Sequence, residues 1–140
     1  MITNKPNIGK YILSSGVDRI FIDLEVLGKK DRQKNLNTWK SSHQKEDISE
    51  MRKNIRKKNI LVRLNPWNNN SPFEIEYAIR NGADYLMLPM IKSFKEISEF
   101  CQIVNFRVPV IPLIETKESL DFLDKVIEIK GIKELFIGLN

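Results

Sequence analysis

Residues 60–90 read ILVRLNPWNNNSPFEIEYAIRNGADYLMLPM. The stretch opens on an apolar, strand-like run over 60–65 whose polar members, Arg63 and Asn65, gather at its carboxyl end before Pro66. The turn-rich NPWNNNSP follows, and Ser71, Pro72 and Glu74 make a good helix start. Gly82 stops that helix, and a second apolar run over 84–89 begins at once. A strand, a helix and a strand within about thirty residues form the unit from which parallel sheets are built.

The same layout extends to both sides. RIFIDLE (19–25), YLMLPMIK (85–92), VPVIPLIET (108–116) and ELFIGLN (134–140) are apolar runs with charged, amide or proline residues at their carboxyl ends. From residue 60 onward they recur about every 25 residues. Helices are predicted between them. One closes over 10–15 before Gly16. A basic one covers 46–58, with Ile48, Met51 and Ile55 on one face. Another covers 94–104, with Ser93 and Glu96 as a capping box, and a last one runs from Thr116 to about 130, ending at Gly131. The polar segment 26–45 reads as a long loop with one short helical turn, and loops of that length in a compact domain are usually functional. The alternation predicts a parallel sheet with helices packed outside it, in a single domain over 1–140. A barrel of this kind builds its active site at the carboxyl ends of the strands, where the polar residues gather.

A (β/α)8 barrel closes with eight strands in about 250 residues. This chain of 140 residues supplies five clear strands, with ITN at 2–4 as the stub of another. The fold expected is therefore an incomplete TIM-type (β/α)8 barrel of five to six βα units. Its unpaired edge and uncovered apolar surface predict poor stability and weak or absent catalysis.

Composition narrows the function. The chain is 41% hydrophobic and 29% charged, as in a globular domain, and no apolar stretch reaches the roughly 18 residues of a membrane span. The amino terminus, MITNKPNIGKY, lacks a signal-peptide layout. The one cysteine, Cys101, allows no internal disulfide and reads as a buried structural thiol, with a cytoplasmic setting as the default. The net charge of +5 is uneven: residues 29–58 hold 11 Lys/Arg against 4 Asp/Glu, so the remainder is negative. That basic stretch contains a single aromatic, Trp39, and no nucleic-acid-binding motif, which favours a solvated helix face or a site for a small anion over nucleic acid. The six glycines are scattered and form no phosphate loop.

Side chains alternate along a strand, so Asp23 and Glu25 share one face with Phe21, Arg63 and Asn65 share one with Leu61, and Glu115 shares one with Ile111 and Leu113. One rim would then hold three carboxylates, a guanidinium and an amide. Carboxylates with water suit a hard divalent cation, magnesium above all or another such as manganese. Arg63 offers a planar fork for a substrate carboxylate. Together they could polarise a 2-oxo acid and stabilise its enolate. Each residue also has an ordinary structural reading: Asp23 or Glu25 as a cap or ion-pair partner, and Glu115-Thr116 as a cap for the following helix. Arg63 inside an apolar strand requires an acidic partner, from protein or ligand. The only histidine, His43, is a candidate general base or a solvated loop residue, and Lys92 is a further candidate substrate contact.

At these segments the chain resembles the HpcH/HpaI aldolase and citrate lyase beta-subunit family, through GVDRIFIDLE (16–25), LVRLNP (61–66), NGADYLMLPM (81–90), PLIET (112–116) and FIGLN (136–140). The resemblance implies a TIM-type barrel and magnesium-dependent carbon–carbon bond cleavage or formation through an enolate. The substrates it implies are 2-oxo acids such as pyruvate with an aldehyde, or hydroxyacyl-CoA thioesters, in trimers or hexamers. It makes Glu115 a metal carboxylate, Arg63 the substrate-holding arginine, and Glu25 a rim residue near the metal waters. Asp23 and Asn65 complete the expected substrate site, with Arg63, Glu25 and His43 as the catalytic candidates. The family's second metal Asp follows the GLN-like strand end, where this chain stops; the aldolase branch has a His close behind its DxE motif, where Val26 and Leu27 follow Glu25 here, and Val26 also breaks the DLED start of the citrate-lyase branch. Two other readings are an inactive remnant or binding subunit that keeps the fold, and a doubly wound α/β domain holding an anionic ligand at a switch in strand order.

Overall fold

In a computed structural model, the described residues are 1–29, 41–56 and 59–138. Their elements are α1 (Pro6–Ser14), β1 (Ile20–Asp23), α2 (Glu46–Asn54), β2 (Ile60–Arg63), α3 (Ser71–Arg80), β3 (Tyr85–Leu88), α4 (Phe94–Val104), β4 (Val110–Ile114), α5 (Lys117–Asp121), α6 (Leu123–Ile127) and β5 (Phe136–Ile137). The strands form one parallel sheet in sequential order, β1 to β5. Ile2 adds a parallel bridge beside Phe21 at the β1 edge. Strand order never reverses among the described residues, so there is no switch point of the doubly wound type.

The sheet curls. Five flat strands would set β1 and β5 roughly 19 Å apart at about 4.8 Å per step. Yet Arg19, just before β1, makes a two-point ion pair with Glu134, just before β5, at 2.6 and 2.5 Å. The Arg19 guanidinium lies 4.2 Å from the ring centre of Tyr85 on β3, so the pair spans the concave face. The fold is an arc of a TIM-type (β/α)8 barrel.

Alternation along the strands divides the core. Ile20, Ile22, Ile60, Val62, Leu86, Leu88 and Val110 pack on the convex side against Ile12, Ile48, Met51, Ile75, Ile97 and Phe100 of the helices. The concave side carries a smaller cluster of Leu61, Met87, Ile111 and Leu113, flanked by Phe21 and Tyr85. Gly9 lets α1 approach α2, since a Cβ there would lie 2.9 Å from the Met51 sulfur. Gly82, at φ +105°, admits the Arg52 side chain, whose Nε and Nη2 donate to its carbonyl at 3.0 and 2.8 Å. Arg52 also pairs with Asp84, which accepts the Ile60 N–H at the head of β2. This member of the basic stretch is therefore tied into the fold.

Several boundaries differ from the sequence reading. α1 begins at Pro6, well before residue 10, with proline in its first turn. α2 stops at Asn54 because Ile55 turns extended, and its carbonyl accepts Arg52 Nη1. The helix expected over 116–130 is two short ones: Phe122, at φ −125° and ψ 21°, leaves helical geometry and packs against the core ahead of the buried Val126. The last strand is only Phe136–Ile137. Most of the long loop, residues 30–40, lies outside the described residues, as do 57–58 and 139–140. Among the described residues no helix is long and apolar enough to cross a membrane.

Candidate functional site

The parallel register sets Asp23 beside Arg63, Arg63 beside Met87, and Met87 beside Ile111. Asp23 and Arg63 close β1 and β2 at their carboxyl ends, whereas Ile111 is only the second residue of β4 and lines the amino-terminal part of the concave face. Met87 is apolar and buried beside Arg63. Arg63 Nε and Nη2 donate to the two Asp23 oxygens, both at 2.9 Å, and Nη2 stands 3.4 Å from Glu25 Oε2. The guanidinium also lies 5.4 Å from the Phe21 ring centre, one layer below.

Burial of this kind would lift a lone carboxyl pKa, and burial is the largest influence on Asp23. The donors Arg63, Lys29 and Ser41 together overcome it and hold Asp23 well below the usual carboxylate range. Lys29 Nζ and Ser41 Oγ each lie 2.6 Å from Asp23 Oδ2. For Arg63, desolvation pulls the pKa down, but Asp23, Glu25 and Glu115 outweigh it and raise it. Glu115 is thereby placed within electrostatic reach of the same guanidinium.

Glu115 stands two residues beyond Leu113 and so shares its face. The capping role falls to its neighbour: Thr116 Oγ1 accepts the Ser119 N–H at 3.1 Å and donates to the Ile91 carbonyl at 2.6 Å. Glu115 Oε1 accepts the Met90 N–H at 2.9 Å. Met90 adopts φ 51°, left-handed geometry that a non-glycine residue rarely takes, at the loop that follows β3. Gly138 completes the niche, because a Cβ there would lie 3.0 Å from Glu115 Cβ.

The remaining candidates sit around this pair in different roles. Asn65 has its carboxamide engaged at both ends: its oxygen accepts the Val26 and Leu27 N–H groups at 2.9 and 3.0 Å, and its nitrogen donates to Glu74 at 3.1 Å. It ties the loop after β1 to α3. His43 Nδ1 accepts the Asp23 N–H at 3.0 Å, which puts the proton of the neutral ring on Nε2. Burial pushes the His43 pKa down, with Lys29 adding to that, against the upward pull of Asp47 and Asp23. The ring lines a cavity of about 320 Å³ with Leu24, Lys45, Asn65, Glu74 and Tyr77. Lys92 is exposed, and its backbone N–H donates to Glu96. Cys101 has its thiol pushed up to about 12 by desolvation, which makes it a poor nucleophile.

Sequence reasoning passed over Lys29, Ser41, Met90 and Gly138. The glycine turn at Gly28 was the only visible hint for Lys29; a carbonyl- or amide-level contact such as Met90 to Glu115 leaves no sequence signal. A larger cavity, about 630 Å³, lies at the opposite, amino-terminal end of the concave face, between Arg19, Tyr85 and Glu134. It is remote from the charged rim, and barrel chemistry belongs to the rim.

No protein-family profile matches the chain, and neither does any curated protein. Solved structures do match. Macrophomate synthase is similar at 14% identity and TM-score 0.65, over 98% of this chain and 53% of that one. Tryptophan synthase subunit alpha from Legionella pneumophila str. Paris is similar at 13% identity and TM-score 0.63, over 99% and 60%. A Schiff base forming fructose-1,6-bisphosphate aldolase is similar at 18% identity and TM-score 0.55, over 93% and 54%. The chain thus spans between about half and three fifths of these proteins, and the likeness is one of fold.

Proposed function

We propose that this chain carries the substrate rim of a divalent-cation-dependent carbon–carbon lyase or aldolase of the HpcH/HpaI and citrate lyase beta-subunit type. Its substrate on this reading is a 2-oxo acid of the pyruvate class or a hydroxyacyl-CoA. The observation that carries the reading is Arg63: a guanidinium on the concave face at the strand ends, clamped by Asp23, with Glu25 and Glu115 around it. One protein of similar fold is an aldolase, a Schiff base forming one, so the fold is compatible with aldol chemistry.

Among the described residues no three His, Cys, Asp or Glu side chains lie close enough together to form a metal cluster. Magnesium needs fewer, since it keeps several waters and takes one or two carboxylates. Glu115, positioned by the Met90 N–H, and Glu25, beside Arg63, are the carboxylates that would hold it. Bound there, such a cation would polarise the substrate carbonyl. Arg63 would orient the substrate carboxylate through its Nη1 edge. Met87, buried beside Arg63, makes that flank of the site apolar. His43, neutral and fixed by the Asp23 N–H, would donate from Nε2 or take a proton only after releasing that bond. A cytoplasmic trimer or hexamer belongs to the same reading.

The test is calorimetric titration of the chain with Mn²⁺ or Mg²⁺, then with pyruvate, followed by an assay of pyruvate release from a hydroxy-oxo acid. Metal and pyruvate uptake with turnover supports the enzyme. Uptake without turnover supports a binding subunit that keeps the fold, and no uptake at all removes the proposal.

A further inference from the structure

Lys29 follows a turn at Gly28, which takes φ 70°, a conformation glycine adopts without strain. The turn brings Lys29 Nζ to 2.6 Å from Asp23 Oδ2, with only 12% of the lysine side chain exposed. Asp23 already carries the two-point contact from Arg63. Asp23 thus serves two largely buried cations, and Glu25 Oε2, 3.4 Å from Arg63 Nη2, supplies the second carboxylate.

That stoichiometry matters for an incoming anion. With Asp23 and Glu25 set against Arg63 alone, the group would carry one net negative charge and repel an incoming carboxylate. With Lys29 present, the group of Asp23, Glu25, Arg63 and Lys29 is balanced, two carboxylates against two cations among the described residues, and salt weakly screens the charge that Lys29 supplies because the four side chains are largely buried. Ser41 Oγ, at 2.6 Å from the same Asp23 oxygen, adds a neutral donor and leaves the balance unchanged.

We infer that Lys29 is a charge-setting, positioning residue of this rim: it removes the net negative charge that Asp23 and Glu25 would otherwise hold around Arg63, so that an anionic, carboxylate-bearing substrate can approach the guanidinium. The inference rests on the 2-oxo acid reading above. It makes opposite demands on two ligands. A positive charge at Lys29 favours the anionic substrate and opposes a divalent cation at neighbouring carboxylates. A purely structural lysine would help both.

The experiment titrates the whole chain with Mn²⁺ alone, and then with pyruvate at saturating Mn²⁺, for the wild type, Lys29→Gln, Lys29→Met and Lys29→Arg. Lys29→Gln keeps a hydrogen-bond donor for Asp23 without the charge, so it serves if Lys29→Met does not fold. The expected result is pyruvate affinity lower by about tenfold in Lys29→Gln, the scale of one weakly screened charge. Mn²⁺ affinity should be unchanged or higher, and Lys29→Arg should match the wild type. Wild-type pyruvate affinity in Lys29→Gln overturns the inference, and so does a parallel loss of both ligands. A wild-type chain that takes up neither ligand overturns the proposed function and this inference with it, whereas a silent Lys29→Gln in a chain that binds both overturns this inference alone.

Discussion

Asp23 and Arg63 are register partners on adjacent parallel strands, and both nitrogens of one guanidinium edge reach both oxygens of one carboxylate at 2.9 Å. Because Asp23 is only 4% exposed, removing its charge takes the carboxylate partner from Lys29 and leaves Arg63 with Glu25 at 3.4 Å. Loss of one partner from a buried ion pair typically costs about 3–5 kcal/mol. Asp23→Asn should therefore lower unfolding stability by about 3 kcal/mol in denaturant titration. The pH dependence has a definite sign. A carboxyl whose folded pKa is depressed stabilises the fold above its unfolded pKa and loses that contribution as pH falls toward the folded value. The wild type should thus lose stability on acidification below the ordinary carboxylate range, and the Asp23→Asn variant should show a flatter profile there.

Arg63→Lys separates charge from shape. Lysine keeps one positive charge but cannot span both Asp23 oxygens, and it loses the planar contact over Phe21. The folded state should tolerate it at a cost of about 1 kcal/mol. Pyruvate affinity in the metal-loaded chain should fall by about tenfold or more, since the two-point geometry goes with the guanidinium. An unchanged affinity would place the substrate carboxylate elsewhere.

Gly138 bounds the niche of Glu115. A methyl group there would meet Glu115 Cβ at 3.0 Å and Leu113 Cδ1 at 3.3 Å, so one of them must yield. Gly138→Ala should cost about 1 kcal/mol of stability, the low end for overpacking. It should also shift Glu115 away from its bond with the Met90 N–H and weaken Mn²⁺ binding by several-fold, about 1 kcal/mol. A crystal structure of the variant with Glu115 unmoved would refute the linkage.

How far the sequence alone reaches can be traced through these same residues. Strand periodicity and polar strand ends located Asp23, Arg63 and Glu115, because alternation fixes which side chains share a face and parallel order fixes which ends meet. Their partners were not legible in the same way. Asn65 looks like a substrate contact in ILVRLN, yet its amide is engaged by two backbone N–H groups and by Glu74, a pairing that depends on how the loop after β1 folds back. Lys29 and Ser41 flank a segment without periodicity, so nothing in the sequence placed them on Asp23. TKESLDFLDKVIEIKG has no proline or glycine before Gly131 and so predicts one continuous helix over 116–130; the break at Phe122 comes from packing, which pattern does not encode.

The ion pair at the other end of the concave face makes the opposite prediction from Asp23. Arg19 and Glu134 meet in a two-point contact at 2.5–2.6 Å, yet their side chains are 29% and 46% exposed. Their mutual hydrogen bonds raise the pKa of Arg19 and lower that of Glu134, but water and salt screen much of that interaction. Short distance alone does not make such a pair strong, and exposed pairs are typically worth less than about 1 kcal/mol. Glu134→Gln should change global stability by less than that amount, and its effect should shrink further in about 1 M salt, where the Debye length falls to about 3 Å. The local consequence should be larger. Among the described residues β5 pairs through Phe136 and Ile137, both exposed, and Arg19–Glu134 ties its amino end to the β1 side of the arc. Amide exchange at Gly138, whose N–H donates to the Ile114 carbonyl at 2.9 Å, should accelerate in Glu134→Gln while exchange in β2 and β3 stays unchanged. Uniform acceleration across all five strands would mean that the pair holds the whole sheet together, contrary to its exposure.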